Sequence, residues 1–184
     1  KELGNGVSVF KVGDKVYGSA NFVSGGSGAL AQYCVANTAN IAKKPENANF
    51  LESAAVVLVG VSAIQALEGH IKLKKDQKIL IHGGAGGIGS IAIQLAKSLG
   101  AYVATTVSPD DKDFVKSLGV DKIVDYKNEK FEEKLKDMDS VFDTDGGETT
   151  NKSFQVLKKG GVLVSMLGQP SEDIAQKHEV TAIG

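Results

Sequence analysis

Between Lys78 and Leu99 the chain switches from one hydrophobic period to another. Ile79, Leu80 and Ile81 form a short unbroken apolar run, the pattern of a strand buried on both faces. A glycine-rich stretch follows, His82-Gly-Gly-Ala-Gly-Gly-Ile-Gly89. Ile88, Ile91, Ala92, Leu95, Ala96 and Leu99 then recur at helical spacing on one face. Gly100 stands where a helix C-terminus favours a left-handed residue. Tyr102–Thr106 reads as a second strand, which completes a βαβ unit. The alternation continues to the last residues. It predicts helices over Lys112–Leu118, Phe131–Lys136 and Thr149–Leu157, and another starting at Ser171–Gln176. It predicts strands over Lys122–Asp125, Val141–Asp143, Gly161–Met166 and Val180–Ile183. Strands and helices in strict turn predict an α/β fold with a doubly wound parallel sheet.

The first fifty residues have a different texture. Val12–Gly18 reads as a turn leading into a strand, Asn21–Gly28 as a loop, and Ala31–Val35 and Asn40–Lys43 as strands. Asn49 and Glu52 have capping-box spacing, with Asn49 as N-cap. A helix over Leu51–Val57 and a second over Ser62–Glu68 then bridge the β-rich piece to the α/β part. The expected division is residues 1–50, a connecting helical stretch 51–77, and an α/β domain over 78–184. The first strand pair lacks neighbours and the chain stops on an apolar segment, so a piece of a longer protein is expected.

Charge and cysteine content narrow the classes. The 184 residues carry 21 basic and 22 acidic side chains, a net charge of −1, which gives no footprint for nucleic acid or a membrane surface. Every basic residue is lysine, so no guanidinium fork is available for phosphate or carboxylate. Cys34 is the single cysteine, so no internal disulfide forms. No signal peptide and no apolar run of membrane-spanning length is read, and a reducing cytoplasm is the expected home.

Gly84-x-Gly86-x-x-Gly89 carries the chemistry. It follows a predicted strand and opens a predicted helix, the context that gives this spacing meaning. Gly84 permits the tight turn, Gly86 lets a pyrophosphate approach the backbone, and Gly89 lets the helix pack close to the strand. The free N–H groups at the helix start then face the phosphates. The alternative is a tight strand-to-helix turn with no ligand. His70, His82 and His178 lack ligand spacing, and each reads as a surface or structural histidine. Asp143 and Asp145 flank a strand end and read as capping or loop-lining groups. No catalytic residue is identified.

Several stretches, in order and spacing, resemble one family. They are Phe10–Gly18, Gly28–Tyr33, Ala54–Ala63, Gly83–Gly89, Ser117–Asp121, Val124–Tyr126, Phe142–Gly147 and Val156–Ser165. The chain resembles the zinc-independent medium-chain dehydrogenases/reductases, the quinone and enone reductase group related to zeta-crystallin. The resemblance implies a partial GroES-like β-rich catalytic domain followed by a Rossmann domain incomplete at its C-terminus, with about half of a full-length member present. Zinc-dependent relatives have a cysteine ligand just before the segment that is Gly60-Val61-Ser62 here. Val59 stands at that place, and a metal-free site is expected.

The implied activity is NADPH-dependent transfer of a hydride to a quinone or an α,β-unsaturated carbonyl, a small-molecule substrate. The alternative is a nucleotide-binding structural or regulatory protein without turnover. Relatives commonly dimerise through the Rossmann sheet edge, so a homodimer is expected. By the resemblance, Gly84, Ala85, Gly86, Gly87, Ile88 and Gly89 hold the pyrophosphate. Ser108, Lys112 and Tyr126 surround the adenosine 2′-phosphate, and Ser62, Gly146, Leu167 and Gly168 lie along the ribose and nicotinamide. Lys112 also reads as a solvated helix lysine, Tyr126 as a packing residue and Ser62 as a helix N-cap. The second strand ends Thr105-Thr106-Val107-Ser108 without the carboxylate that NAD-selective sites place there, so a preference for NADPH is expected. Asp110 and Asp111 would oppose a phosphate if they pointed inward.

Overall fold

A computed structural model describes residues 1–184 apart from Phe22 and Ser24. The expected loop over Asn21–Gly28 contains both of these, and at those two positions it lies outside the described residues. The chain divides into two units, Lys1–Leu58 and Val59–Gly184.

In the first unit, β1 (Val16–Gly18) pairs antiparallel with β2 (Ile41–Lys43), Tyr17 opposite Ala42. The strand expected over Ala31–Val35 is absent. That segment is irregular, tied by Ser27 N–H to Val35 O at 3.0 Å and by Val35 N–H to Ser27 Oγ at 2.8 Å. Tyr33 and Val35 are each 68% exposed, so alternation there has no ladder and no core to register against. The capping box forms as expected. Glu52 N–H donates to Asn49 Oδ1 at 2.9 Å, and Asn49 N–H donates to Glu52 Oε2 at 2.8 Å.

That cap starts α1, Phe50–Ile64, which runs on as a wider helical turn over Gln65–His70. The two separate helices expected here are one. No proline lies between Val57 and Ser62, and Gly60 inside a helix costs only about 1 kcal/mol relative to alanine. Ser62 is therefore a mid-helix residue rather than an N-cap. The joined helix, Phe50–His70, has 21 residues and a mean hydropathy of 1.9. The absence of any membrane-length apolar run is corrected accordingly. Length and composition suffice for a span, a test that core helices of soluble proteins also pass.

The second unit is built on a six-stranded sheet. Its strands are β3 (Lys78–Ile81), β4 (Tyr102–Val107), β5 (Lys122–Asp125), β6 (Met138–Asp143), β7 (Leu157–Ser165) and β8 (Thr181–Ile183). The order is β5-β4-β3-β6-β7-β8 and every pairing is parallel. Helices α2 (Gly87–Ser98), α3 (Lys112–Ser117), α4 (Phe131–Lys134), α5 (Glu148–Ser153) and α6 (Glu172–His178) are the crossovers. Ile79 and Ile81 face one core with Leu67, Ala92, Ile93, Ala96 and Val115. Leu80 faces the other with Phe131, Phe154, Val156 and Ala175. Each side chain of this kind, fully buried, contributes roughly 1.5–3 kcal/mol, so both faces hold the central strand. The doubly wound parallel sheet is as expected.

Two helices are shorter than their periodicity predicts. α4 ends at Lys134 because Leu135 turns extended and buries itself in the second core, and Asp137 takes a left-handed φ of 57°. α5 gives way to a tighter turn over Phe154–Val156, and Leu157 already belongs to β7. Beside β3, the chain goes to β4 on one side and to β6 on the other. That reversal leaves a crevice beyond the carboxyl ends of β3 and β6, the usual ligand position in such sheets.

One core position is unsatisfied. Ser140, in β6 between Ile79 and Val162, is 1% exposed, and its hydroxyl has no partner among the described residues. Ser140→Ala is expected to raise the urea-unfolding free energy by about 1 kcal/mol, because a buried unpaired hydroxyl is removed with little change of volume. An unchanged or lower midpoint would contradict that assignment.

Candidate functional site

The turn between β3 and α2 is set by close approaches. Gly83 has a φ of +67°, and its carbonyl accepts from Gly86 N–H at 2.9 Å. A Cβ at residue 89 would lie 2.2 Å from Gly83 O, so the first turn of α2 can sit against the strand end only with glycine there. Gly84, expected to provide the turn conformation, provides proximity instead: a Cβ there would lie 2.0 Å from Thr105 Oγ1 on β4. The left-handed conformation belongs to Gly83, outside the glycine triplet.

Gly86 differs from these. Its backbone is ordinary (φ −72°, ψ 169°), and the nearest atom to a Cβ there is Gly83 O at 3.2 Å. The opposite side is open to a cleft of about 580 Å³. Gly87, Ile88 and Gly89, the first residues of α2, have N–H groups with no intrahelical acceptor. Ala85 and Gly86 line the cleft with Thr106, Ser108, Asp111 and Tyr126 on one side and Asp145, Thr149 and Lys152 on the other. A strand end, a glycine turn and a helix N-terminus around such a cleft fit the pyrophosphate of a dinucleotide.

Beneath the turn lies a hydrogen-bond chain through His82, which is fully buried. Its Nδ1 is 2.9 Å from Thr106 Oγ1 and its Nε2 is 2.9 Å from Ser153 Oγ. Ser153 donates to Thr149 O at 2.7 Å and so accepts from Nε2–H. Nδ1 must then accept from the Thr106 hydroxyl, which itself accepts from Gly83 N–H at 3.4 Å. This is the pattern of a neutral imidazole. Burial pushes its pKa down from 6.5 to about 4, against the charge of Asp143. Phe131 stacks edge-on against the ring, centroids 4.6 Å apart.

Asp143 and Asp145 divide their work. Asp143 is buried; its Oδ1 accepts from Asp145 N–H at 2.9 Å and Gly146 N–H at 3.1 Å, and Thr150 donates to its Oδ2. It builds the turn after β6. Asp145 lines the cleft, and its pKa is raised by burial and by the charge of Asp143.

The remaining expected cofactor residues are distributed as follows. Ser108 and Tyr126 line the cleft. Lys112 lies on the first turn of α3, its ammonium 2.9 Å from Asp125 Oδ2. Asp110 is exposed, whereas Asp111 lines the cleft and accepts from Ser108 Oγ at 2.7 Å. Ser62 is buried in α1, one turn beyond Val59, whose Cγ1 lies 3.3 Å from a Cβ built at Gly87. Gly146 abuts Leu167, with a would-be Cβ 2.9 Å from Leu167 Cβ, and Gly168 follows in open space with φ +117°. Sequence reasoning missed Gly83, Thr106 and Lys130 as cleft or turn residues. For Thr106 the available signal was a pair of hydroxyl residues, Thr105-Thr106, near the end of a strand whose other inward positions are apolar.

No group of three or more His, Cys, Asp or Glu side chains able to hold a metal ion occurs among the described residues. His82 has both nitrogens engaged, His178 lies tilted against Phe154 at 6.0 Å, and Cys34 is exposed.

Comparison with known proteins adds the following. Residues 87–180 match a family model described as zinc-binding dehydrogenase. The chain is 38% identical to the 2-methylene-furan-3-one reductase of Solanum lycopersicum over 174 residues, covering 91% of this chain and 44% of that protein. It is similar to the solved quinone oxidoreductase from Coxiella burnetii, with TM-score 0.84 and 33% identity, covering 100% of this chain and 59% of that one. It is also similar to the Escherichia coli quinone oxidoreductase complexed with NADPH, with TM-score 0.85 and 26% identity over the same shares. The chain thus spans less than half the length of the curated reductase.

The buried neutral histidine has a measurable consequence. In the unfolded chain a histidine takes up its proton near pH 6.5, whereas His82 in the fold resists until about pH 4. The unfolded state binds more protons across that window, so stability falls as pH drops from about 6.5 to 4, by roughly 3 kcal/mol in all. Asp145, with its raised pKa, acts in the opposite sense at the acid end. Urea unfolding at pH 7.0, 5.5 and 4.5 is expected to show the decline in the wild type and a flatter profile in His82→Gln. Parallel profiles would contradict the assignment.

Proposed function

The chain belongs to the zinc-binding dehydrogenase family, and on that footing we propose that it carries the cofactor-binding part of an NADPH-dependent reductase. The reductase transfers a hydride to a quinone or an α,β-unsaturated carbonyl without a metal ion. The observation that carries this reading is the glycine turn that ends at Gly86, the N-cap of α2, and lines the cleft at the sheet's reversal point. The names of its relatives, a quinone oxidoreductase and a 2-methylene-furan-3-one reductase, support the substrate class. The NADPH complex of the Escherichia coli relative supports the cofactor.

Bound NADPH supplies the hydride. The chain's own residues supply binding and orientation. The N–H groups of Gly87, Ile88 and Gly89, with the positive end of α2, hold the pyrophosphate. Ser108, after β4, and Tyr126, after β5, offer hydroxyls, and Lys112 would offer its ammonium on turning from Asp125. On the other side, Gly146 and Leu167, which abut each other, would lie along the ribose and nicotinamide. The proton that completes reduction comes from water, since the product is an enolate or a hydroquinone anion.

Glycine substitutions separate binding from folding. Gly86→Val is expected to fold, because its φ suits any residue and its Cβ, 3.2 Å from Gly83 O, asks for only a small shift, and to weaken NADPH binding at least about tenfold by filling the pyrophosphate's space. Gly89→Ala is expected to destabilise the fold itself, with its Cβ against Gly83 O. Wild-type affinity in a folded Gly86→Val variant would remove the cofactor reading. For the activity, the full-length gene product is expected to oxidise NADPH with members of a quinone and enone panel and to contain no stoichiometric zinc. Tight NADPH binding without turnover on any acceptor would favour the non-catalytic nucleotide-binding alternative.

A further inference from the structure

The end of β4 holds a carboxylate that strand-end reading does not reveal. The chain leaves β4 at Val107, passes through Ser108, and makes one tight turn over Pro109–Asp111 before α3. Asp111 N–H donates to Ser108 O at 3.2 Å, which closes the turn. The Asp111 side chain folds back over it, and its Oδ2 takes the Ser108 hydroxyl at 2.7 Å. Both residues line the cleft. Asp111 lies about twenty residues beyond Gly89, the separation at which a dinucleotide site meets the adenosine ribose.

The nearby cation is already engaged. The Lys112 ammonium lies 2.9 Å from Asp125 Oδ2, and the Asp125 side chain is 5% exposed. Asp125 also accepts from Asn128 Nδ2 at 3.0 Å and from Lys127 N–H at 3.0 Å. These bonds, the Asn128 amide first and then Lys112, hold its carboxyl below the usual range, so it stays charged. No ion pair joins Asp111 to a lysine among the described residues. A ribose 2′-hydroxyl can donate to that carboxylate. A 2′-phosphate must take the Ser108 hydroxyl from it and then sit beside its charge.

We propose that Asp111 is a specificity-determining residue of this cleft: it competes with a 2′-phosphate for the Ser108 hydroxyl, accepts from a 2′-hydroxyl, and so narrows the preference for NADPH over NADH. This rests on the cofactor reading above. The chain is a dinucleotide site in which one acidic side chain holds back the phosphate selectivity of Ser108 and Tyr126.

The test is a set of dissociation constants for NADPH and NADH, measured by quenching or calorimetry on the full chain. The proteins are wild type, Asp111→Asn, Asp111→Ala and Asp110→Asn. Asp110→Asn removes the same formal charge from an exposed neighbour, and thermal unfolding checks each fold. Asp111→Asn and Asp111→Ala are expected to tighten NADPH about tenfold and to weaken NADH, so that the ratio of affinities rises more than tenfold. Asp110→Asn is expected to leave the ratio within about twofold, since an exposed charge is screened. An unchanged ratio in both Asp111 variants, or an equal change in Asp110→Asn, overturns the proposal and leaves the cofactor reading standing. A wild type that binds neither dinucleotide overturns both.

Discussion

The close approach of α2 to the end of β3 is the constraint on which the rest of the second unit depends. Gly83 O occupies the place where residue 89 would carry a Cβ. Only with both residues glycine can the helix start so near the strand. That nearness buries Ala92, Ile93 and Ala96 against Ile79 and Ile81. It also aims the unpaired N–H groups of the first helical turn across the top of the sheet. Packing and anion binding are therefore one geometric fact, with different glycines serving each. Gly89 and Gly84 serve proximity and Gly83 serves conformation, whereas Gly86 has an ordinary backbone, a milder contact with Gly83 O at 3.2 Å, and a place in the lining of the cleft.

The polar layer below the turn follows from the same geometry. Strands that end at a crevice bring backbone groups into a site too enclosed for free solvation, and each must find a partner. His82 meets this need by acting as acceptor on one nitrogen and donor on the other, bridging β4 and α5. A protonated ring would have two donors, and Thr106 would have to give up its role toward Nδ1. Burial and hydrogen bonding thus favour the same neutral form, and they outweigh the attraction of Asp143. Thr144 Oγ1 donates to His82 O at 2.9 Å and ties the third neighbouring strand end into the layer.

What could be read from the residues, and what could not, follows from where each signal resides. Ile79–Ile81 and the helical stripe of α2 carry their structure in local periodicity, so the parallel sheet was legible before any contact was known. The glycine spacing was legible for the same reason. The Ala31–Val35 alternation was misleading because a strand exists only with a partner, which local pattern does not encode. The break expected between Val57 and Ser62 was misleading because one glycine in an apolar run is too weak a signal to end a helix. Asp110 and Asp111 were legible as charges that could oppose a phosphate, but which of them points inward was not, because the direction of a side chain in a tight turn is not carried by local pattern. A tight turn returns a residue three positions on to the same place.

The absence of arginine shapes how this cleft can handle an anion. A guanidinium presents a fixed fork and keeps two partners at once, whereas an ammonium on a four-carbon stem is a mobile point charge. Lys112 is held by Asp125, and Asp125 keeps the Asn128 amide and the Lys127 N–H whether or not the lysine stays. Turning Lys112 toward a phosphate therefore exchanges one anion for another and leaves the carboxylate with its other donors. The gain is the difference between two charge-assisted contacts rather than the whole of one. A site whose cation contributes only a difference is sensitive to every other charge at its mouth. The carboxylate of Asp111, which no lysine pairs among the described residues, then matters more than it would beside an arginine fork.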